Sequence, residues 1–362
     1  MPVDVDTRAV AWLFYTSGTT GRPKGAMWSH RTIAVALMNY LADVYSTQPE
    51  DVVLHAAPLT HGSGVVALPS LARAAENVIL DAPSFEPDAV FGLIERRKVT
   101  NVAFLAPTQI VRLLADFEPG RFDLSSLRLG TIGGADIPVE LVRRVHDELP
   151  YLTLISGYGL TEGGTAAGTS PGDDVETIAT TVGRPRPGFE LRLVDKEGSE
   201  VTPGTSGEIL LRSGSVMSHY LDDPDATALA ISSDGWLRTG DLGVMTETGC
   251  LRIVGRVKDM FIVGGFNAYP AEIEGMLLRH DGVAQVAVVG MPDERMGEVG
   301  VAFVVPRTGA DAGTLADDLV AWARDAMANY KVPRRVEVVD ALPLNASGKV
   351  RKTELRAQFS AE

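Results

Sequence analysis

The sequence predicts an α/β protein of two or three domains, and three observations carry that expectation. At 362 residues the chain exceeds what one hydrophobic core normally serves. Between about residues 31 and 160, β-rich runs alternate with amphipathic stretches, the pattern of parallel strands with helices packed on them. Between about 183 and 256 the runs shorten, alternate and are broken by Pro, Gly and Asp, the pattern of an antiparallel β-subdomain.

In chain order, candidate strands fall at 51–58, 76–82, 99–107, 127–134 and 153–159. Between them, Pro87 to Lys98, Pro107 to Phe117 and Pro138 to Leu149 read as helices. In the last, Pro138 suits the first helical position, and Leu141, Val145 and Leu149 recur at i, i+4 and i+8. Ligands of such sheets bind where loops leave the carboxyl ends of strands. FELRLVD, GEILLRS and CLRIVGR then form the β-rich stretch, punctuated by PRPG, TPGTSG and SSDG turns. From about 258 a mixed unit begins. It holds a helix opening at Pro270 with Ile273, Met276 and Leu277 on one face, strands VAQVAVVG and VGVAFVVP, and a helix near 313–329.

Composition excludes several classes. With 33 basic and 47 acidic residues the formal net charge is −14, which repels phosphate backbones and anionic lipid. No apolar run approaches the roughly 18–20 residues that span a bilayer, and the acidic start MPVDVDTRAV is unlike a signal peptide. The one cysteine, Cys250, forms no internal disulfide, fits a reducing cytoplasm, and reads as a small buried strand residue rather than a catalytic thiol. The expected location is cytoplasmic.

The most informative stretch is Tyr15-Thr16-Ser17-Gly18-Thr19-Thr20-Gly21-Arg22-Pro23-Lys24-Gly25. Its glycines free backbone N–H groups to face an anion, four hydroxyls (Thr16, Ser17, Thr19, Thr20) add donors, and Lys24 adds a compact charge. It is not a Walker loop: the lysine spacing is wrong and no GK[ST] closes it. By residue type alone it is either a phosphate cradle or a surface loop.

This stretch resembles the signature loop of the adenylate-forming superfamily, which includes acyl-CoA synthetases, luciferases and peptide-synthetase adenylation domains. Four further stretches match in the family's order: Gly157 to Glu162 (GYGLTE), Gly235 to Asp241 (GWLRTGD), Gly255 to Asp259 (GRVKD) and Pro343 to Lys349 (PLNASGK). Together the five motifs span almost the whole chain. The resemblance implies a large N-terminal domain of layered αβα sheets with a small β-barrel-like subdomain, then a small mobile α+β domain. The implied boundaries are 1–257 for the AMP-binding domain, with its β-rich part at about 183–256, and 258–362 for the C-terminal domain.

The resemblance also implies an acid–thiol ligase. A carboxylate attacks the α-phosphorus of ATP, and coenzyme A then displaces AMP. Mg²⁺ is the implied cofactor, and the partners are ATP, coenzyme A and a small carboxylic acid. Such chemistry needs positioning and charge neutralisation more than an enzyme nucleophile. Residue by residue, Thr16 to Gly21 and Lys24 would hold the β- and γ-phosphates. Glu162 would bind Mg²⁺ and Thr161 would contact the α-phosphate. A dinucleotide-binding reading of Gly157-x-Gly159 fails, because Glu162 stands where the third glycine belongs. Tyr158 completes that motif, and Gly133, Gly134 and Ala135 would let adenine lie against backbone, a tight turn being the competing reading. Asp241 would accept the ribose hydroxyls, with Arg256 as a cation beside them; a surface salt bridge between them is the alternative. Lys258 would be the hinge between half-reactions. Gly264 and Gly265 would line the pantetheine tunnel, or form a hairpin turn. Lys349 would neutralise charge on the carboxylate and α-phosphate, with nearby Lys352 as an equally exposed lysine of no assigned role.

His61 resembles the family's histidine between carboxylate site and tunnel, although Thr60 replaces the usual preceding aromatic. PLTHGSG offers no aspartate for a substrate ammonium, so a plain carboxylic acid is expected rather than an amino acid. DMFIVGGFNAYPAEIE looks most like bacterial fatty-acid and steroid-side-chain ligases, giving a fatty or related acyl acid as the expected substrate. Relatives usually carry about 150 residues before the phosphate loop, roughly one domain; 15 precede Thr16 here. A homodimer covering the face so exposed is one expectation. Two other readings are an acyl-AMP ligase feeding a carrier protein and a truncated, inert nucleotide-binding homologue.

Overall fold

The structure, a computed structural model, describes residues 3–16, 23–44, 47–60, 62–82, 84–134, 137–344 and 350–359. The chain divides into two compact units, Met1–Thr239 with Gly243–Ile253, and Gly240–Leu242 with Val254–Glu362.

The first unit opens with a hairpin of β1 (Val10–Thr16) and β2 (Lys24–Ser29), in which Thr16 pairs with Lys24. Helix α1 (His30–Asn39) follows, its first turn capped by the Ser29 hydroxyl, which accepts from the Thr32 amide. Next come β3 (Val52–His55), α2 (Gly62–Ala72), β4 (Glu76–Ile79), α3 (Pro87–Arg97), β5 (Asn101–Leu105), α4 (Pro107–Ala115), β6 (Leu129–Gly133), α5 (Val139–Glu148) and β7 (Thr153–Leu160). All five expected strands and three expected helices are present, the first four strands with shorter bounds and β7 one residue longer than expected. Pro138 differs in detail: it is the N-cap of α5 rather than its first helical residue.

After β7 come β8 (Gly164–Gly168), α6 (Val175–Thr180) and β9 (Arg184–Pro185). The large sheet has the order β4-β3-β5-β6-β7-β8-β9, parallel from β4 to β7 and antiparallel beyond. Alternate residues serve opposite faces, as a strand's period of two requires. Leu54, Val102 and Leu154 join the apolar cluster of α3, α4 and α5, whereas Val53, Ala103 and Ile155 pack with Val66 of α2. Both faces are therefore covered, the layered αβα arrangement. Chain order reverses between β3 and β5, and ligands favour the crevice at the carboxyl ends beside such a switch point.

The β-rich stretch contributes β10 (Glu190–Val194), β11 (Ser206–Arg212), β12 (His219–Tyr220), α7 (Pro224–Ala230), β13 (Leu237–Met245) and β14 (Leu251–Arg256). Four of these strands form a sheet in the order β10-β11-β13-β14, while β12 leaves it to pair with β2. Cys250, 1% exposed, is buried as expected, but in the turn just before β14 rather than in a strand.

The second unit carries a hairpin of β15 (Phe261–Val263) and β16 (Phe266–Ala268), then α8 (Pro270–Leu277), β17 (Val283–Asp293), β18 (Gly297–Pro306), α9 (Leu315–Ala326), β19 (Arg335–Val338) and α10 (Lys352–Phe359). Its sheet runs β16-β15-β18-β17, with β19 parallel to β18. Val288, Ala302 and Val304 face Ile273 and Leu277 of α8 and Leu319 of α9. Ala287, Val289 and Phe303 face the other way, onto Leu342 and Leu355. Among the described residues no helix is long and apolar enough to cross a membrane.

Candidate active site

In the first unit, two segments far apart in sequence, 161–163 and 215–220, converge on the strand that follows the phosphate loop. Trp28 of β2 donates its indole N–H to the Thr161 carbonyl at 2.9 Å. The Met217 amide donates to the Glu162 carbonyl at 2.7 Å, and the Ser215 hydroxyl to the Gly163 carbonyl at 3.3 Å. Tyr220, paired through β12 with Ala26 of β2, donates its hydroxyl to Glu162 Oε1 at 2.6 Å. Lys24 Nζ lies 5.2 Å from the centroid of the same ring. Burial, then the Glu162 carboxylate, pushes the Tyr220 phenol above its ordinary pKa, so it remains a donor.

The Thr161–Glu162 pair is thus held to β2 by backbone and side chain together. An ammonium and a carboxylate meet one aromatic side chain, the first at its ring and the second at its hydroxyl. Of the expected phosphate-site residues, Thr16, Lys24, Thr161 and Glu162 lie among the described residues. Ser17, Gly18, Thr19, Thr20 and Gly21 lie outside them.

The carboxyl ends of the parallel strands supply the second group. Gly133 of β6 pairs with Gly157 of β7. A Cβ on Gly133 would stand 2.9 Å from the Gly157 carbonyl oxygen and 3.4 Å from Phe104 Cε2, so only glycine permits this approach. Gly134 follows with φ +81, the turn weighed against the adenine reading. Gly159 has the same need for close approach, since the Gly164 carbonyl occupies its Cβ position. Tyr158 is 8% exposed and packs in an apolar cluster with Ala166, Ala167 and Leu237. Ala135 and His61 lie outside the described residues.

The carboxyl end of β3 holds a polar group absent from the sequence reasoning. His55 Nε2 donates to Asn77 Oδ1 at 2.7 Å, leaving Nδ1 to accept from the Ser63 hydroxyl at 3.0 Å. Ser70 donates to the same Asn77 oxygen at 2.8 Å. Burial lowers the His55 pKa, which keeps the ring neutral and this tautomer in place.

The second unit holds the remaining candidates. Arg256 Nε lies 3.1 Å from Asp241 Oδ1, so the ion pair weighed as an alternative is present, and it brings the two predicted ribose residues together. Asp241 is 7% exposed. Lys258 sits in the turn after β14, where the amides of Asp259 and Met260 both donate to the Arg256 carbonyl. Loss of solvent, then the Arg256 charge, lowers its pKa. Gly264 and Gly265, with φ +57 and +90, form the two-residue turn between Val263 and Phe266. Two successive positive φ values are what a type I′ hairpin requires, which accounts for both glycines conformationally.

Lys349 lies outside the described residues, but the chain on either side is fixed. Leu344 and Val350 form an antiparallel bridge, and the Arg351 amide donates to the Pro343 carbonyl at 2.8 Å. The structure corrects the expectation that Lys352 is an exposed lysine of no assigned role. Its Nζ is 2.7 Å from Glu274 Oε1, with side-chain exposures of 20% and 16%, and the Val288 amide donates to the same oxygen at 2.6 Å.

Comparison with known proteins decides the family. The profile of the AMP-binding enzymes matches residues 1–221, and that of the AMP-binding enzyme C-terminal domain matches residues 272–349. The chain belongs to the AMP-binding enzymes. This is the adenylate-forming superfamily that its five motifs resemble, in its acyl-CoA ligase branch. It is 44% identical over 350 residues to the 3-[(3aS,4S,7aS)-7a-methyl-1,5-dioxo-octahydro-1H-inden-4-yl]propanoyl:CoA ligase of Mycobacterium tuberculosis, covering 96% of this chain and 66% of that protein. It is 39% identical to the feruloyl-CoA synthase of Amycolatopsis sp, covering 99% of this chain and 71% of that protein. Among solved structures, ATP-bound MatB from Rhodopseudomonas palustris superposes with a TM-score of 0.89 at 32% identity, covering 99% of this chain and 69% of that one. This AMP-binding enzyme therefore spans about two thirds of the length of its curated relatives.

Proposed function

We propose that the chain is an ATP-dependent acid–thiol ligase that activates a ring-bearing carboxylic acid and transfers the acyl group to coenzyme A. One observation carries the nucleotide chemistry: Tyr220 holds Glu162 at its hydroxyl and has Lys24 over its ring, beside the strand that leaves the phosphate loop. A single carboxylate next to a phosphate-binding ammonium is the donor set expected of Mg²⁺ bound chiefly through substrate phosphates. When bound there, the ion would neutralise charge on the departing pyrophosphate.

The protein's own residues supply the rest. Lys24, with the hydroxyls and amides of residues 16–21, holds the β- and γ-phosphates. Thr161 contacts the α-phosphate, and Asp241 with Arg256 binds the ribose. The substrate carboxylate oxygen attacks the α-phosphorus as the bond to pyrophosphate breaks, and Lys349 offsets the charge that gathers there. The thiol of coenzyme A then attacks the acyl carbon. AMP leaves with the bonding electrons, and the thiol proton passes to solvent. Lys258 is the pivot between the two steps, and the motif that His61 resembles assigns it to the boundary of acyl site and thiol tunnel.

The substrate class departs from the fatty acid suggested by sequence texture. The two curated relatives are named for acids that carry rings, a fused bicyclic propanoate and ferulate. The test is product formation from ATP, Mg²⁺, coenzyme A and a panel of arylpropenoic, bicyclic and straight-chain acids, followed by mass spectrometry. Thioester from ring-bearing acids, dependent on coenzyme A, supports the proposal. Equal or better turnover of straight-chain acids overturns the substrate class, and acyl transfer to a carrier protein but not to coenzyme A overturns the acceptor.

A further inference from the structure

We infer that Tyr220 is a positioning residue for the triphosphate site, aiming the Glu162 carboxylate at a phosphate-bound divalent cation. The inference rests on the nucleotide reading above and deepens it. Tyr220 lies outside all five motifs, in the sequence MSHYLDDP, where nothing marks it as more than a buried aromatic.

The geometry argues for it in three steps. First, the Glu162 backbone is fixed independently of the tyrosine, by the Met217 amide on its carbonyl and by Trp28 on the preceding carbonyl. The backbone bonds place the residue but leave its side chain torsions open. Second, the Tyr220 hydroxyl at 2.6 Å engages one carboxylate oxygen, which selects one rotamer. Glutamate loses substantial rotamer freedom when it is held in this way, so an enzyme that holds it beforehand spares that loss when the cation arrives. Third, the tyrosine is itself rigid. It is 8% exposed, packs with Phe14, Trp28 and Met217, and is tied by β12 to the strand that starts at Lys24. Its ring face meets the Lys24 ammonium, so one side chain sets both charges. The Thr227 hydroxyl accepts the Tyr220 amide at 2.9 Å and fixes the backbone of the short strand.

The hydroxyl and the ring separate experimentally. Tyr220→Phe keeps the ring under Lys24 and the packing, and removes only the donor to Glu162. Tyr220→Leu removes both. The readout is binding, not turnover: free Mn²⁺ followed by electron paramagnetic resonance while the protein is titrated with Mn²⁺ and a non-hydrolysable ATP analogue. Hydrogen bonds to charged groups support a loss of roughly tenfold in Mn²⁺ affinity for Tyr220→Phe, with analogue affinity in the absence of metal unchanged. Tyr220→Leu is expected to weaken the metal-free analogue as well. In pyrophosphate-release kinetics, Tyr220→Phe raises the Mg²⁺ concentration needed for half-maximal rate by the same factor, and saturating Mg²⁺ restores the rate. A merely structural role predicts lower rates that excess metal does not rescue.

The outcomes divide cleanly. Wild-type Mn²⁺ affinity in a Tyr220→Phe protein that melts normally overturns this inference and leaves the ligase reading intact. Failure of the wild type itself to bind the analogue with metal overturns the nucleotide reading, and this inference with it.

Discussion

The paired glycines Gly133 and Gly157 yield the sharpest structural prediction, because they are register partners and yet the space around them differs. They face each other across β6 and β7. A methyl group on Gly133 would stand 2.9 Å from a backbone carbonyl that is locked in the ladder, and 3.4 Å from the Phe104 ring. Neither neighbour is a flexible chain end. Overpacking of this kind costs about 1–3 kcal/mol. For a unit of this size each kcal/mol moves the melting temperature by roughly 2–4 °C, so Gly133→Ala melts about 2–12 °C below wild type. A methyl group on Gly157 would instead meet Thr165 Cγ2 at 3.7 Å and the Ala167 oxygen at 3.8 Å, ordinary contacts. Replacing glycine there restricts the unfolded chain and contributes up to about 0.4–1 kcal/mol in favour of folding. Gly157→Ala therefore melts at or slightly above the wild-type temperature. Thermal unfolding by circular dichroism measures both. Equal destabilisation of the two variants, or a normal Gly133→Ala, would refute the packing argument.

Two further predictions concern groups to which the sequence assigned no role. Lys352→Met takes the ammonium away from a largely enclosed Glu274 carboxylate that also accepts from the Val288 amide, and costs about 1.5–3 kcal/mol of stability in urea denaturation; the double variant with Glu274→Gln recovers part of it. An unchanged denaturation midpoint would return Lys352 to the role of a solvated charge. His55 has a folded pKa below its ordinary value, so the unfolded chain binds its proton first. Its contribution to stability is intact above about pH 6.5 and is lost as pH falls from there toward the folded pKa. The stability difference between wild type and His55→Gln should narrow between pH 8 and pH 5.5, and a constant difference contradicts the buried neutral ring.

Local signals made the scaffold legible. Proline followed by apolar residues at helical spacing announced α3, α4, α5 and α8, and β-rich runs ending at turn residues announced β3 to β7. These features depend on neighbours within a few positions, which is why they survive in a single sequence. The Pro138 offset is the expected error, since proline suits both the cap and the first turn. What escaped depends on partners distant in the chain. Thr16 and Lys24 flank a loop of small polar residues, and nothing local says that they face each other in a hairpin. Tyr220 meets Glu162 only because β12 crosses to pair with β2. Lys352 lies in a polar, turn-rich stretch that reads as solvated, and its partner Glu274 belongs to a helix in another part of the sequence. The candidate chemistry was legible through the five motifs, whereas the groups that hold those motifs in place were not.

The central claim is that this chain forms an acyl-adenylate from a ring-bearing acid. Exchange of labelled pyrophosphate into ATP in the absence of coenzyme A tests that step alone, with Lys349→Ala as the comparison. The account predicts exchange that requires both Mg²⁺ and an arylpropenoic or bicyclic acid, and that falls by at least about a hundredfold in Lys349→Ala, the loss expected on removing a group that stabilises transition-state charge. Exchange that proceeds without any acid, or that is unchanged in Lys349→Ala, would contradict it.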